Sequence, residues 1–453
     1  MNIFKTGLAL IGLLTLSAAS ELHKQYFTTS KNKHSFSKQI NNLNDETLDI
    51  AILGKSFFRI PWVEAPSATT ARDGLGPLFN ANACISCHPN NGIGNLFTKS
   101  GDISRSNIIK VGIPSDASKN HKEMLAKMGF VPDPVYGGQI SINGIFGVPF
   151  EAKPHITYEK KEFTFPDGEK ITLQKPIIKL KNLNYGELAN NASLSFRKAP
   201  ALVGLGLLEM ISDDDILANE DINDKDNDGI SGKANIVYSP YTKKYKVGRY
   251  TYKASAPSVL HQVAGAANND MSLSSPIFPN DNCTDAQKEC LEAPKGRAID
   301  KFDLPIERVK AIAFYLKTLK TPTPNKTEEF LENKKIFDSI GCVNCHKDSF
   351  ITSNGMEIAP YSDMLLHHMG EGLSDGRIEF KAEATEWRTT PLWGIGLYEK
   401  VLGNKPKYLH DGRANSLAEA ILWHGGEAQN AKDNFVNLSK EKRDKLIKFL
   451  GEL

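Results

Sequence analysis

Two short stretches carry chemistry-bearing residues at one fixed spacing. NACISCHPN sets Cys84 and Cys87 three residues apart, with His88 directly behind them. GCVNCHKD repeats the pattern 258 residues later, with Cys342, Cys345 and His346. On one helical turn, two thiols at this spacing span an edge of a porphyrin, and each can form a thioether with a vinyl group. The next residue then swings beneath the metal, where an imidazole can bind. C-x-x-C-H is therefore read as covalent haem attachment, with His88 and His346 as proximal ligands of two c-type haems. A zinc ribbon also uses paired C-x-x-C units, but exported thiols face oxidation. A thioredoxin-like pair needs a βαβ setting that the sequence lacks.

The sixth iron position takes His or Met. Near the second motif the candidates are Met364, His367, His368, Met369, His410 and His424. The first motif has no local candidate that stands out. Cys283 and Cys290, spaced C-x6-C, are left over and read as a local disulfide, with a redox-active pair as the alternative. Asp224-x-Asp226-x-Asp228-Gly229 places three carboxylates on a turning loop, the oxygen array that calcium prefers. It departs from an EF-hand in carrying Asn235 at position twelve and in lacking a flanking helix pair. A solvated acidic turn is the competing reading.

These groups must be positioned by a chain of 453 residues, 40% hydrophobic, with net charge +2. Nothing in that balance argues for nucleic acid. Residues 1–20 read as a signal peptide: Lys5, the apolar run Gly7 to Leu16, then SAAS as a small-residue cleavage site. A retained N-terminal anchor is the alternative. The mature protein is expected to be soluble and exported, most simply to a bacterial periplasm. Residues 21–44 read as a flexible lead-in. A helical pattern starts near Asp45. YEKKEFTFPDGEKITLQ predicts a β-hairpin turning at Pro166-Asp167-Gly168. Leu304 to Leu319 is amphipathic, with Ile312, Tyr315, Leu316 and Leu319 on one face. The prolines of KTPTPNKT mark a linker, after which Thr327 to Ile340 and the terminal SKEKRDKLIKFLGEL read as helices.

The sequence predicts a mainly α fold of two cytochrome c-like haem domains, the first enlarged by an insertion containing some β-hairpin. The expected boundaries are 45–320 for the N-terminal domain, 321–326 for the linker and 327–453 for the C-terminal domain.

Several stretches resemble the di-haem oxidoreductases of peroxidase or thiol-oxidoreductase type, relatives of bacterial di-haem cytochrome c peroxidases. They are GLGPLFNANACISCH (74–88), APALVGLGLLEMI (199–211), DNDGISGKAN (226–235), QVAGAANNDMSLSSPIFP (262–279), RTTPLWGIGL (388–397) and YLHDGRANSLAEAILWHGGEA (408–428). The resemblance covers nearly all of 45–453. It implies an electron-transfer haem in the C-terminal domain and a peroxidatic haem in the N-terminal one. The sixth ligand of the C-terminal haem comes, in the relatives, from the helix after the HDG turn, which points to His424 with Met369 as runner-up. The relatives use a distal Glu, and Glu209 in GLGLLEMI matches it; burial among apolar residues would raise its pKa into a useful range. His261 and Lys253 could enter the same pocket. Tyr252 stands where the family leads one to expect Trp. The resemblance also implies a calcium between the haem domains and pairing as a homodimer. The enzyme reading needs a small electron-donor protein, such as a cytochrome or cupredoxin, and a small oxidant such as hydrogen peroxide. The alternative is a non-enzymatic di-haem electron-transfer protein.

Overall fold

Helix α1 (Asp45–Arg59) starts where Asn44 accepts a hydrogen bond from Thr47 N, with Asp45 and Glu46 favourably placed in its first turn. Its apolar stripe, including Phe57 and Phe58, is buried against α3 (Ile306–Lys317). The two backbones touch at Gly54, where a Cβ would lie 1.9 Å from Ala311 O, so only glycine fits. Between them in sequence, α2 (Val259–Met271) is capped by Ser258. The computed structural model describes residues 21–69, 71–296 and 301–453, and the expected signal peptide lies outside the described residues.

In the C-terminal part, α4 (Glu328–Ser339) is capped by Thr327 and α7 (Lys440–Glu452) by Ser439. They pack through Phe330, Phe337, Leu446, Phe449 and Leu450. Two shorter helices, α5 (Leu417–Leu422) and α6 (Gln429–Asn437), complete this core. No helix of the described residues is long and apolar enough to cross a membrane.

The expectation of a mainly α fold is overturned: the chain is 32% helical and 20% strand, with many small sheets. The reason lies in segments whose apolar residues repeat every second position. β1 (Asn107–Gly112) pairs with β4 (Ser193–Lys198) and with Gln139–Ile140 in a three-stranded sheet. β2 (Lys153–Thr164) and β3 (Lys170–Lys181) form the hairpin, in register from Thr164↔Lys170 to Lys153↔Lys181. Its turn is the one expected: Gly168 takes φ 88° and Phe165 N donates to Glu169 O at 2.8 Å. The other sheets are two-stranded pairs that give irregular loops backbone partners.

The hairpin reaches further than its sequence suggests. Phe165 and Leu173 are buried in the core that holds Phe337, Leu422, Phe435 and Phe449. Arg443 stacks 4.1 Å over the Phe165 ring and pairs with Asp167 and Glu169 at the turn. A strap from the insertion therefore completes the core that carries the second motif.

The largest core draws on both sides of residues 321–326, joining Phe58 and Tyr315 to Phe350, Ile358, Met364 and Trp393. Thr321–Pro322 is itself a short strand, parallel to Phe27–Thr28 of the lead-in, and Phe36 of the lead-in is buried. Cys283 and Cys290 are joined as a disulfide in a small satellite core.

Candidate functional site

Cys84–Cys87 form a single helical turn, and His88 closes it, its N–H donating to Cys84 O. Cys342–Asn344 form the matching turn, entered through Gly341 at φ 92°. All four thiols are free of disulfides. Burial pushes the thiols of Cys84 and Cys342 up to about 12, and those of Cys87 and Cys345 upward as well. Thiols held protonated in apolar surroundings are poor thiolate nucleophiles.

The two motif histidines are held alike. His88 Nδ1 donates to Pro200 O at 2.8 Å, and His346 Nδ1 donates to Tyr361 O at 2.8 Å. Such a bond fixes the tautomer and leaves Nε2 with its lone pair, as a metal-ligating imidazole requires. Burial lowers both imidazoles to about 4, so both are neutral near pH 7. The acceptors come from remote segments, Pro200 just beyond β4 and Tyr361 from a loop with φ 54°. That pairing was not legible in the motifs themselves.

A cavity of about 580 Å³ opens beside the second motif, a size suited to a bound small molecule. Cys342, Cys345, His346, Met369 and His424 line it, and so do Tyr252, Trp387 and His410. His424 follows α5 and donates Nδ1 to Ala420 O at 2.8 Å, again leaving Nε2 available. Burial lowers its pKa too. The donor set therefore fits a covalently held haem: two thiols, an oriented imidazole and a second oriented imidazole on one cavity.

The other candidates near the second motif separate by their partners. His367 has no nitrogen to give: Nε2 lies 2.7 Å from Asp363 Oδ2 and Nδ1 2.6 Å from Glu427 Oε2. Met364 is fully buried in the large core. His410 stacks on Trp387 at 3.7 Å and 13°, with Nε2 3.5 Å from Asp411 Oδ2. Tyr252 meets both rings edge-on, at 6.5 Å from Trp387 and 6.3 Å from His410.

Glu209 ends the short helix Leu205–Glu209. Its Oε1 accepts from Val259 N at 3.0 Å, at the start of α2, and its Oε2 lies 3.0 Å from Lys317 Nζ. Both oxygens thus have partners. His261, two residues further along α2, is the opposite case: burial lowers its imidazole to about 4, and Nδ1 has no hydrogen-bond partner among the described residues. Lys253 is fully buried, with Nζ 3.1 Å from Asp375 Oδ1 and 4.5 Å over the Trp387 ring. It belongs to a buried charge network in which Arg197 bridges Asp375 at 3.0 Å and Glu379 at 2.7 Å. No sequence periodicity signals that network, whose members lie up to 182 residues apart, from Arg197 to Glu379.

The acidic loop holds Asp224, Asp226 and Asp228 with ligand oxygens within 4.8 Å of one another. Positive φ at Asp224, Asn227 and Gly229 turns the chain tightly enough for this. Asn235 points elsewhere, donating to Lys253 O at 2.7 Å and Glu379 O at 3.0 Å. Asp228 also lines the large cavity, 3.4 Å from Asn344 Nδ2 within the second motif.

A family model described as "Di-haem oxidoreductase, putative peroxidase" matches residues 16–453. No curated protein matches the chain.

Proposed function

The chain belongs to the di-haem oxidoreductase family, and we propose that it acts as an exported di-haem c-type cytochrome of peroxidase type. The observation that carries this is the paired arrangement of His88 and His346, each behind two thiols and each bonded through Nδ1 to a backbone carbonyl at 2.8 Å. Cys84 and Cys87 would anchor one haem, Cys342 and Cys345 the other, as thioethers. Iron at each site, once bound, supplies one-electron chemistry and, at the N-terminal site, oxidant cleavage.

The chain's own residues do the rest. His346 and His424 share one cavity and each leaves Nε2 available, so both would hold iron there as an electron-transfer site, with Met369 the donor competing with His424. Tyr252, Trp387 and His410 form a ring cluster on the wall of that cavity, His410 stacked on Trp387 and Tyr252 edge-on to both, and would offer a route toward the N-terminal unit. A small donor protein such as a cytochrome or cupredoxin would supply the electrons, and the site of His88 would receive them. There Glu209 is assigned the transfer of a proton between the two oxygens of a small oxidant such as hydrogen peroxide. Lys317 Nζ lies 3.0 Å from its carboxylate and positions it. Asp224, Asp226 and Asp228 would take a calcium ion beside the second motif. Residues 1–20 would direct export to the periplasm, and pairing as a homodimer follows the relatives.

The test is direct. The purified exported protein is assayed for haem c per chain by the alkaline pyridine spectrum, then for peroxide turnover with a reduced donor. Two haems and turnover that falls on Glu209→Gln by 10²–10⁴-fold, about the range of one general acid–base group, support the proposal. Two haems with no turnover of any small oxidant refute its enzymatic part.

A further inference from the structure

Most buried charges in this molecule are matched. Arg197, Arg377 and Lys253 face Asp375 and Glu379, and Arg413 faces Asp411 at 2.6 Å. Two cations on the wall of the large cavity are not. Lys198, the last residue of β4, is 3% exposed and lines that cavity, yet its ammonium makes no ion pair or hydrogen bond among the described residues. Its nearest charged influence, Asp411, is already held by Arg413 Nε at 2.8 Å. Arg388, on the same wall, donates Nε to Thr251 O at 3.1 Å and approaches Met364 Sδ at 3.9 Å, but makes no ion pair among the described residues. Burial draws Lys198 down to about 7 and Arg388 to about 10.

An isolated buried cation is costly unless an anion joins it. The positions of these two residues identify the anion. Lys198 stands two residues before Pro200, the carbonyl that orients His88, and its charge is felt at His88. It thus lies close enough to the first motif to influence His88 while lining a cavity walled by His346 of the second. A haem carries two carboxylates on its edge opposite the thioethers. We propose that Lys198 and Arg388 form a carboxylate-binding pair that receives haem propionate within the cavity beside the second motif, and that Lys198 thereby raises a haem reduction potential. The ion pair neutralises the carboxylate, and a retained positive charge favours the ferrous state.

This rests on the di-haem reading above, and the experiment separates the two. Wild type, Lys198→Met and Lys198→Arg are purified as full holoproteins in a buffer free of carboxylate anions. Haem c per chain is counted, and midpoint potentials are measured by spectroelectrochemical titration. The expected result is two haems in all three proteins, with one potential lowered in Lys198→Met by at least tenfold in the reduction equilibrium, about 59 mV for one electron, and restored to within threefold in Lys198→Arg. If Lys198→Met does not accumulate, Lys198→Gln takes its place with the same expected fall. Two haems with both potentials within twofold of wild type would overturn the propionate assignment alone. A fall that appears only when acetate is added would also overturn it, assigning the site to a free anion. Wild type without haem c would remove the di-haem reading and this proposal together.

Discussion

The hairpin tip offers a sharp energetic prediction, because its residues come from the insertion but lie in the C-terminal core. Phe165 is 3% exposed and meets Phe435 edge-on at 6.0 Å. Phe165→Ala removes a buried ring, which costs about 3–5 kcal/mol. Aromatic geometry with Phe435 accounts for about 0.5–1.5 kcal/mol beyond area burial. Arg443 contributes through the ring face at 4.1 Å, about 1–2 kcal/mol where such a cation is desolvated. Its pairs with Asp167 and Glu169 add less, because those carboxylates are 38% and 37% exposed and screened by water. The ring therefore dominates. Guanidinium unfolding followed by Soret absorbance should show Phe165→Ala losing about 4 kcal/mol and Arg443→Met about 1–2. The double variant should recover about 1 kcal/mol of that sum as coupling. A loss below about 1 kcal/mol for Phe165→Ala, with no coupling, would refute the claim that the insertion straps the C-terminal core.

Four further outcomes follow from the same structure. His424→Ala should leave the C-terminal haem high-spin, and His424→Met should raise its potential, since His/Met ligation lies above His/His; an unchanged spectrum in both, with a change in Met369→Leu, would move the ligand to Met369. Calcium at about 100 times its Kd should stabilise the protein by about 2.7 kcal/mol, and Asp226→Asn should abolish that gain; identical melting with and without chelator would return the loop to a solvated turn. Burial alone would lower the pKa of His367, but hydrogen bonds to Asp363 and Glu427 hold it well above its ordinary value. Its stabilisation is thus present below the unfolded pKa of about 6.5 and is lost as pH rises through the folded value, so wild-type stability should decline from neutral into alkaline pH. His367→Asn should flatten that slope and cost about 3–5 kcal/mol by leaving two buried carboxylates without a cation; a variant with the wild-type slope would contradict the assignment.

The strongly periodic elements were legible in the sequence. Ile312, Tyr315 and Leu316 are buried on one side of α3, with Leu319 buried just past its end, and Leu446, Phe449 and Leu450 are buried on α7, with Leu453 buried just past its end. The Pro-Asp-Gly turn is where alternation and turn chemistry placed it. The two attachment motifs are read from local spacing alone. What the sequence could not show depends on distant segments. The strand content of 100–200 was underestimated because half-buried β1 and β4 gain their partners only across more than 80 residues, as in Ser193↔Gly112. The carbonyls of Pro200 and Tyr361 carry no side-chain signal, and the unmatched state of Lys198 is a property of its neighbours. Glu209 looked like an isolated carboxylate; its partners Val259 N and Lys317 arrive from 50 and 108 residues further along.

The central claim is that one unit transfers electrons through a six-coordinate site while the other presents an open iron to a small oxidant. Electron paramagnetic resonance of the purified holoprotein, fully oxidised and then half-reduced, tests it most directly. The account predicts a low-spin signal from the His346/His424 site and a high-spin signal from the His88 site, present at once or emerging on half-reduction. Two haems that stay low-spin in every redox state would contradict it and leave a protein that only carries electrons.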